Sequence, residues 1–249
     1  IDESFVPWIA AINGVALGGG AEIAMACRMR IMAPGAQIGM PEVTLGVIPG
    51  AGGTQRLPRL VGLAKALEMI SLGKPLGAKA ALTAGLVHTI EANPVEEAFM
   101  VNTEELGCIV PTWELPAPDH DPGILEASRQ TVAKKSPNQS APLRAIEVIE
   151  HGLSAPFPDA LSKGRAAFLD LKMGAQAKAL RHMFFAERSA KAPEWIEAEA
   201  VPLGHIVVIG GGTMGAGIAY ALLNAGSRVK LLETDNDGVE RARGNVGQI

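Results

Sequence analysis

Three glycines, Gly18–Gly20, run straight into an apolar segment that carries one acid, Glu22, near its start. A second acid, Glu42, follows Pro41 at the end of the next apolar stretch. A glycine run lets backbone amides approach a ligand without side-chain obstruction. At the N-terminus of a helix those amides lack intrahelical partners and point outward. They could hold a phosphate, or an oxygen on which negative charge develops during a reaction. Taken singly, each feature also has a plain structural reading: a tight turn, an acid facing the helix dipole, an acid at a strand end. The pair is more informative. Two carboxyls in an apolar cleft have their pKa values pushed apart, so one can hold a proton while the other accepts one. Adding water across a polarised double bond needs that division of labour.

A second constellation lies near the other end, in "GHIVVIGGGTMGAGIAYALLNAGSRVKLLETD". An apolar strand, Ile206–Ile209, leads into Gly210, Gly212 and Gly215 at Gly-x-Gly-x-x-Gly spacing. A helix leaves through Ile218–Asn224 and Gly226 ends it. The strand "RVKLLE" then closes on Glu233. Glycines allow close backbone approach to a pyrophosphate at the helix N-terminus, and the acid accepts from a ribose hydroxyl. The full strand–turn–helix–strand context makes this a dinucleotide site. An acid at Glu233, with Thr234 and Asp235 after it, would repel a 2′-phosphate, so NAD is expected over NADP.

The elements that must position these residues read as α/β. Phe5–Ile12, Arg30–Ala33 and Gln37–Gly39 are strand candidates, and Ala21–Arg28 is a short apolar helix. Leu57, Leu60, Ala64 and Leu67 recur at helical spacing, predicting one helix from about Thr54 to Leu72. "AKAALTAGLVHTI" predicts a helix, a stop at Gly85 and a strand. Beyond Glu91 the texture changes to a Pro-rich loop and amphipathic helices, the last running through "DALSKGRAAFLDLKMGAQAKALRHMFFAERSA".

With 249 residues, 48% hydrophobic, and a net charge of −4, the chain has no basic surplus for nucleic acid or an anionic membrane. The uncharged runs Ser4–Ala21 and Val201–Ser227 are broken by glycine turns, which argues against integral membrane spans. Cys27 and Cys108 are the only cysteines, and no Cys/His cluster has zinc-ligand spacing, so no metal site is expected. Cys27 reads as a small buried hydrophobe, in keeping with a reducing compartment. His88, His151, His182 and His205 read as surface or packing residues. The N-terminal "IDESFVPWIA" lacks the basic region of a signal peptide, and both ends look cut, as in an internal piece of a longer protein.

The stretches "AAINGVALGGGAEIAMACRMRI" and "AQIGMPEVTLGVIPGAGGTQRLPRLVG" resemble the enoyl-CoA hydratases of the crotonase superfamily, densely from Pro7 to Thr89. The resemblance implies a ββα spiral fold, an oxyanion-hole amide at Gly19 and catalytic acids at Glu22 and Glu42. The implied reaction is hydration of a trans-2-enoyl-CoA thioester. A second oxyanion donor would lie before Ile1, so the chain by itself is expected to be inactive. "GGGTMGAGIA" resembles the 3-hydroxyacyl-CoA dehydrogenases, whose catalytic His–Glu pair would lie beyond Ile249. Together the halves resemble the multifunctional enzymes of fatty-acid β-oxidation, and "AKALRHMFFAERSA" resembles the segment leading into their dehydrogenase part. That resemblance implies an acid several residues before Phe168, where this chain has Lys163 and Gly164.

The expected organisation is a partial crotonase domain over 1–95, a helical linker over 96–202, and the first βαβ unit of a Rossmann domain over 203–249. Alternatives are isomerase or other enolate chemistry at the same site, or a non-catalytic NAD-binding module. Expected partners are an acyl-CoA substrate and an oligomer mate or thiolase subunit. Bacterial cytoplasm is the expected location, with the peroxisome as alternative.

Overall fold

The computed structural model describes residues 1–2, 4–191 and 203–247. Two compact units are present, Ile1–Ala192 and Pro193–Ile249.

The first unit repeats a strand–strand–helix theme. β1 (Ile9–Ile12) and β2 (Val15–Leu17) are followed by α1 (Gly19–Ala26), then β3 (Met29–Met32) and β4 (Gln37–Gly39) by a 3-10 turn, Glu42–Leu45. Next come α2 (Gly53–Val61), α3 (Leu63–Ser71), β5 (Leu76–Gly77), α4 (Ala78–Thr83) and β6 (Thr89–Ile90). Two sheets result, ordered β1-β3-β6 and β2-β4-β5. β1 pairs parallel with β3, and β2 parallel with β4, in the register Leu17↔Gly39. Parallel strands need helical crossovers that cover the sheet faces, and Ile31, Met32 and Ile38 of β3 and β4 are buried beneath them. The architecture is the α/β ββα spiral expected above.

Six described α-helices complete the unit: α5 (Pro94–Met100), α6 (Thr103–Cys108), α7 (Pro122–Lys135), α8 (Ser140–Gly152), α9 (Phe157–Met173) and α10 (Ala175–Lys191). Residue 202, where the helical linker is expected to end, lies outside the described residues. The helices from α7 onward pack onto the earlier elements: Ala141, Ala145, Ile146 and Ile149 of α8 share a core with Leu57, Leu67 and Ile70.

Several expected boundaries shift. The single helix over 54–72 is two helices, because Gly62 takes φ 77, outside the helical region. The single long helix expected through Asp159–Ala190 is two helices, broken at Gly174, which is extended with ψ 154. The strand at Phe5–Ile12 shortens to β1, and three-residue β2 was not expected. Gly85 does stop α4, at φ 76, with β6 following. At Gly164, buried on α9, a Cβ would stand 3.2 Å from Thr54 Oγ1, so the close crossing of α9 over α2 uses a missing side chain.

One contact positions Glu42. The 3-10 turn ends at Gly46, φ 73, and a Cβ there would lie 2.8 Å from the Ala177 Cα of α10. Helix α10 thus rests directly on the turn that carries the acid. Gly46→Ala is expected to cost about 1–3 kcal/mol through overpacking against backbone. Circular dichroism should show the thermal midpoint falling by several degrees; an unchanged midpoint would refute the contact.

In the second unit, β7 (His205–Ile209) and β8 (Arg228–Leu232) pair parallel around α11 (Thr213–Asn224), and α12 (Asn236–Gly247) follows. Gly226, at φ 83, turns the chain between α11 and β8. No described helix is long and apolar enough to cross a membrane.

Candidate active site and dinucleotide turn

The register of β2 with β4 brings the start of α1 beside the segment leading to Glu42. The Gly18 amide donates to the Gly39 carbonyl at 2.9 Å, and Glu42 follows three residues later. Gly18, at φ 57, takes a backbone conformation that favours glycine, and a Cβ there would sit a tight 3.3 Å from Glu42 Oε1. The carboxyl of Glu42 therefore touches the residue preceding Gly19. Gly19 opens α1, so its N–H has no acceptor within the helix, and Gly19 and Gly20 are exposed.

Glu22, in the first turn of α1, is 6% exposed. Its Oε1 accepts two backbone bonds, from Ala51 N–H at 2.7 Å and Gly53 N–H at 2.8 Å. These donors come from the glycine-rich turn before α2. No other described residue donates to this carboxyl, which leaves Oε2 for a ligand. Glu42 differs. Its Oε2 is buried without a hydrogen-bond partner. Burial pushes its pKa up to about 7; a bond from its own backbone amide pulls the other way, and the nearby Glu22 carboxylate raises it further. The structure thus brings Gly19, Glu22 and Glu42 together, with the carboxyls withdrawn from solvent and the Gly19 amide open to it.

The donors Ala51 and Gly53 were not read from the sequence. They act through main-chain amides, which side-chain identity does not reveal. Cys27 is buried, donates to the Ile23 carbonyl at 3.3 Å, and burial pushes its thiol up, as expected of a packing residue. His88 also packs: Nδ1 accepts from the Arg30 amide at 3.2 Å, and burial with the Arg30 charge lowers its pKa to about 4.

In the second unit, Gly210 takes φ 91 at the end of β7. Gly212 caps α11 in open space, with nothing within 4 Å of a Cβ placed there. Gly215 lies tight against the turn, where a Cβ would be 1.8 Å from the Gly210 carbonyl oxygen. Glu233 reaches under the turn, its Oε1 accepting from the Gly211 amide. Gly211, an unassigned position of the motif, is itself sterically confined: a Cβ would lie 2.1 Å from Ala242 Cβ.

Residues 1–107 match the family described as enoyl-CoA hydratase/isomerase, and residues 205–249 match the NAD binding domain of 3-hydroxyacyl-CoA dehydrogenase. The peroxisomal fatty acid beta-oxidation multifunctional protein AIM1 of Arabidopsis thaliana is 38% identical over 265 residues, covering 100% of this chain and 37% of its own length. The peroxisomal bifunctional enzyme of Cavia porcellus is 37% identical over 258 residues, covering 98% and 35%. The chain thus spans little more than a third of the curated relatives it matches. An enoyl-CoA hydratase/isomerase from Pseudoalteromonas atlantica T6c shares the fold, with a TM-score of 0.52 at 22% identity over 75% of this chain and 64% of that one. Residues 1–107 belong to the enoyl-CoA hydratase/isomerase family, and residues 205–249 are the start of a 3-hydroxyacyl-CoA dehydrogenase NAD-binding domain, joined in one chain as in the multifunctional proteins of fatty acid β-oxidation.

Proposed function

We propose that the first unit serves hydration of a trans-2-enoyl-CoA thioester to the 3-hydroxyacyl-CoA. The observation that carries this reading is the unlike environment of two neighbouring acids beside the Gly19 amide. Glu42, pushed up to about 7, is substantially protonated near neutral pH and delivers a proton to C2. Glu22, oriented through one oxygen by Ala51 and Gly53, uses the other to take a proton from the water attacking C3. The Gly19 N–H donates to the thioester oxygen as it becomes an enolate. The C–O and C–H bonds form on one face; Glu22 ends protonated and Glu42 ionised, and proton exchange with solvent after product release restores both for the next turnover. Presence of both acids favours hydration over isomerisation, which requires only one proton carrier.

The second unit is proposed to bind NAD in the whole protein. The turn fits: Gly212 leaves open space at the start of α11, where a pyrophosphate would meet unpaired amides. Glu233 stands at the end of β8, beside the turn. Bound NAD would supply a hydride acceptor for the 3-hydroxyacyl product of the first site. The Arabidopsis thaliana and Cavia porcellus relatives are peroxisomal proteins, which favours the peroxisome over the bacterial cytoplasm.

Loss of the enoyl-thioester absorbance with crotonyl-CoA tests the reading in the full-length protein. Hydration is expected in wild type, with Glu22→Gln lowering it about 10²–10⁴-fold. An unchanged rate in that variant would remove the hydratase assignment.

A further inference from the structure

Helix α2 carries two arginines, Arg56 and Arg59, whose guanidinium carbons lie 5.6 and 5.0 Å from the centre of the Phe157 ring. Arg59 donates to the Gln55 and Leu115 carbonyls, within and beside its own helix. Arg56 does something else. It is only 5% exposed, and it folds back over the N-terminus of α2. There its Nη1 donates to the Ala51 carbonyl at 2.8 Å and its Nη2 pairs with the Asp2 carboxylate. Its Nε is buried without a partner. Holding a cation there carries a desolvation cost that the ion pair and the carbonyl bond oppose.

Ala51 is the hinge of the arrangement. Its carbonyl takes the bond from Arg56, while its amide gives the bond to Glu22. The next residue, Gly52, turns the chain at φ 104 and directs the Gly53 amide to the same carboxyl oxygen. The guanidinium lies close against this turn: a Cβ at Gly52 would stand 2.1 Å from Arg56 Nη1. A turn holding Gly50, Gly52 and Gly53 has few side chains of its own to restrict it. Leu161 and Phe168 of α9 pack against Gly52 and Gly50, and Arg56 adds the side-chain hydrogen bond that ties the Ala51 carbonyl down.

We infer that Arg56 is a positioning residue for Glu22: by fixing the Ala51–Gly53 turn, it holds both amide donors on Glu22 Oε1 and so aims Oε2 at the reacting water. The inference rests on the hydratase reading. Arg56 touches no reacting atom in this scheme, so its removal acts on turnover and leaves substrate affinity in place. Misplacing a catalytic group by about 1 Å costs on the order of 10²-fold in rate.

The test compares Arg56→Leu, Arg56→Lys and Arg59→Leu in the full-length protein, by crotonyl-CoA kinetics and by amide hydrogen exchange over residues 50–53. Arg56→Leu is expected to lower kcat by about 10–100-fold with KM within about twofold, and to speed exchange at Ala51 and Gly53. Arg56→Lys, which keeps the charge but cannot serve Asp2 and Ala51 in the same forked geometry, should fall between Leu and wild type. Arg59→Leu shares the helix and the ring but not the turn, and should keep both kcat and exchange. Undiminished kcat in Arg56→Leu, or an equal loss in Arg59→Leu, overturns the inference. If Arg56→Leu does not fold, wild-type kcat and exchange in Arg56→Lys overturn it. Wild-type protein that leaves crotonyl-CoA unchanged overturns the hydratase reading itself.

Discussion

Replacing Glu42 by Gln is expected to slow crotonyl-CoA hydration by about 10²–10⁴-fold while making the folded protein more stable above neutral pH. Both halves follow from one fact. The carboxyl is buried, one oxygen lacks a partner, and its pKa stands at about 7 against an ordinary 4.5. The folded state therefore prefers the protonated form. Its stabilising contribution is complete below pH 4.5 and is lost as pH rises through 7, because ionisation then costs more in the fold than in the unfolded chain. A shift of that size corresponds to a loss of up to about 3 kcal/mol. Gln keeps the shape, cannot ionise, and cannot release a proton to C2. Urea titrations of wild type and variant should coincide near pH 4 and separate by pH 8, the variant being more stable. A wild type equally stable relative to Glu42→Gln at both pH values would show that the acid is not strained in the fold.

The second large effect concerns two glycines of the same turn, Gly212 and Gly215, that differ in what surrounds them. Gly212→Val should leave the second unit folded and abolish NAD binding, losing at least about 10²-fold in affinity by calorimetric titration. The backbone at Gly212, φ −64 and ψ −172, is open to valine, and nothing of the protein lies within 4 Å of a Cβ there. The space is empty of protein yet lies where a pyrophosphate would approach. Gly215→Ala should instead damage the fold, because its Cβ would meet the Gly210 carbonyl oxygen at 1.8 Å, and backbone cannot swing aside. α11 would have to lift from β7, at a cost of about 3 kcal/mol or more. Circular dichroism melts separate the cases. A Gly212→Val protein that binds NAD as wild type does would remove the cofactor assignment.

The acids and the two glycine turns were legible because their residue types are costly where they stand. An acid in the midst of "AEIAMACR", or glycines at fixed spacing between an apolar strand and a helix, demand an explanation from sequence alone. The Ala51 and Gly53 donors were not legible. An amide belongs to every residue but proline, and only the fold says which amides converge. Arg56 read as an ordinary helix residue for the same reason: its partners Asp2 and Ala51 reach it through tertiary structure. The break at Gly62 was hidden because Leu57, Leu60, Ala64 and Leu67 keep helical phase across it. The helices beyond Glu91 showed an apolar stripe, but a stripe does not name what it covers; Ala145 and Ile149 turn out to cover α2 and α3. At Gly211 the motif leaves the residue free, whereas Ala242 of α12 does not.

The seat of Ala177 on Gly46 bears on any attempt to dissect this protein. A biochemist seeking the smallest soluble hydratase would be drawn to cut after Gly107, where the family match stops. That cut discards the helix resting on the acid's own turn, together with α8 and α9, and would expose the underside of the very turn that carries the proposed proton donor. A minimal version should therefore keep residues through 191, even though none of those last helices supplies a reacting group.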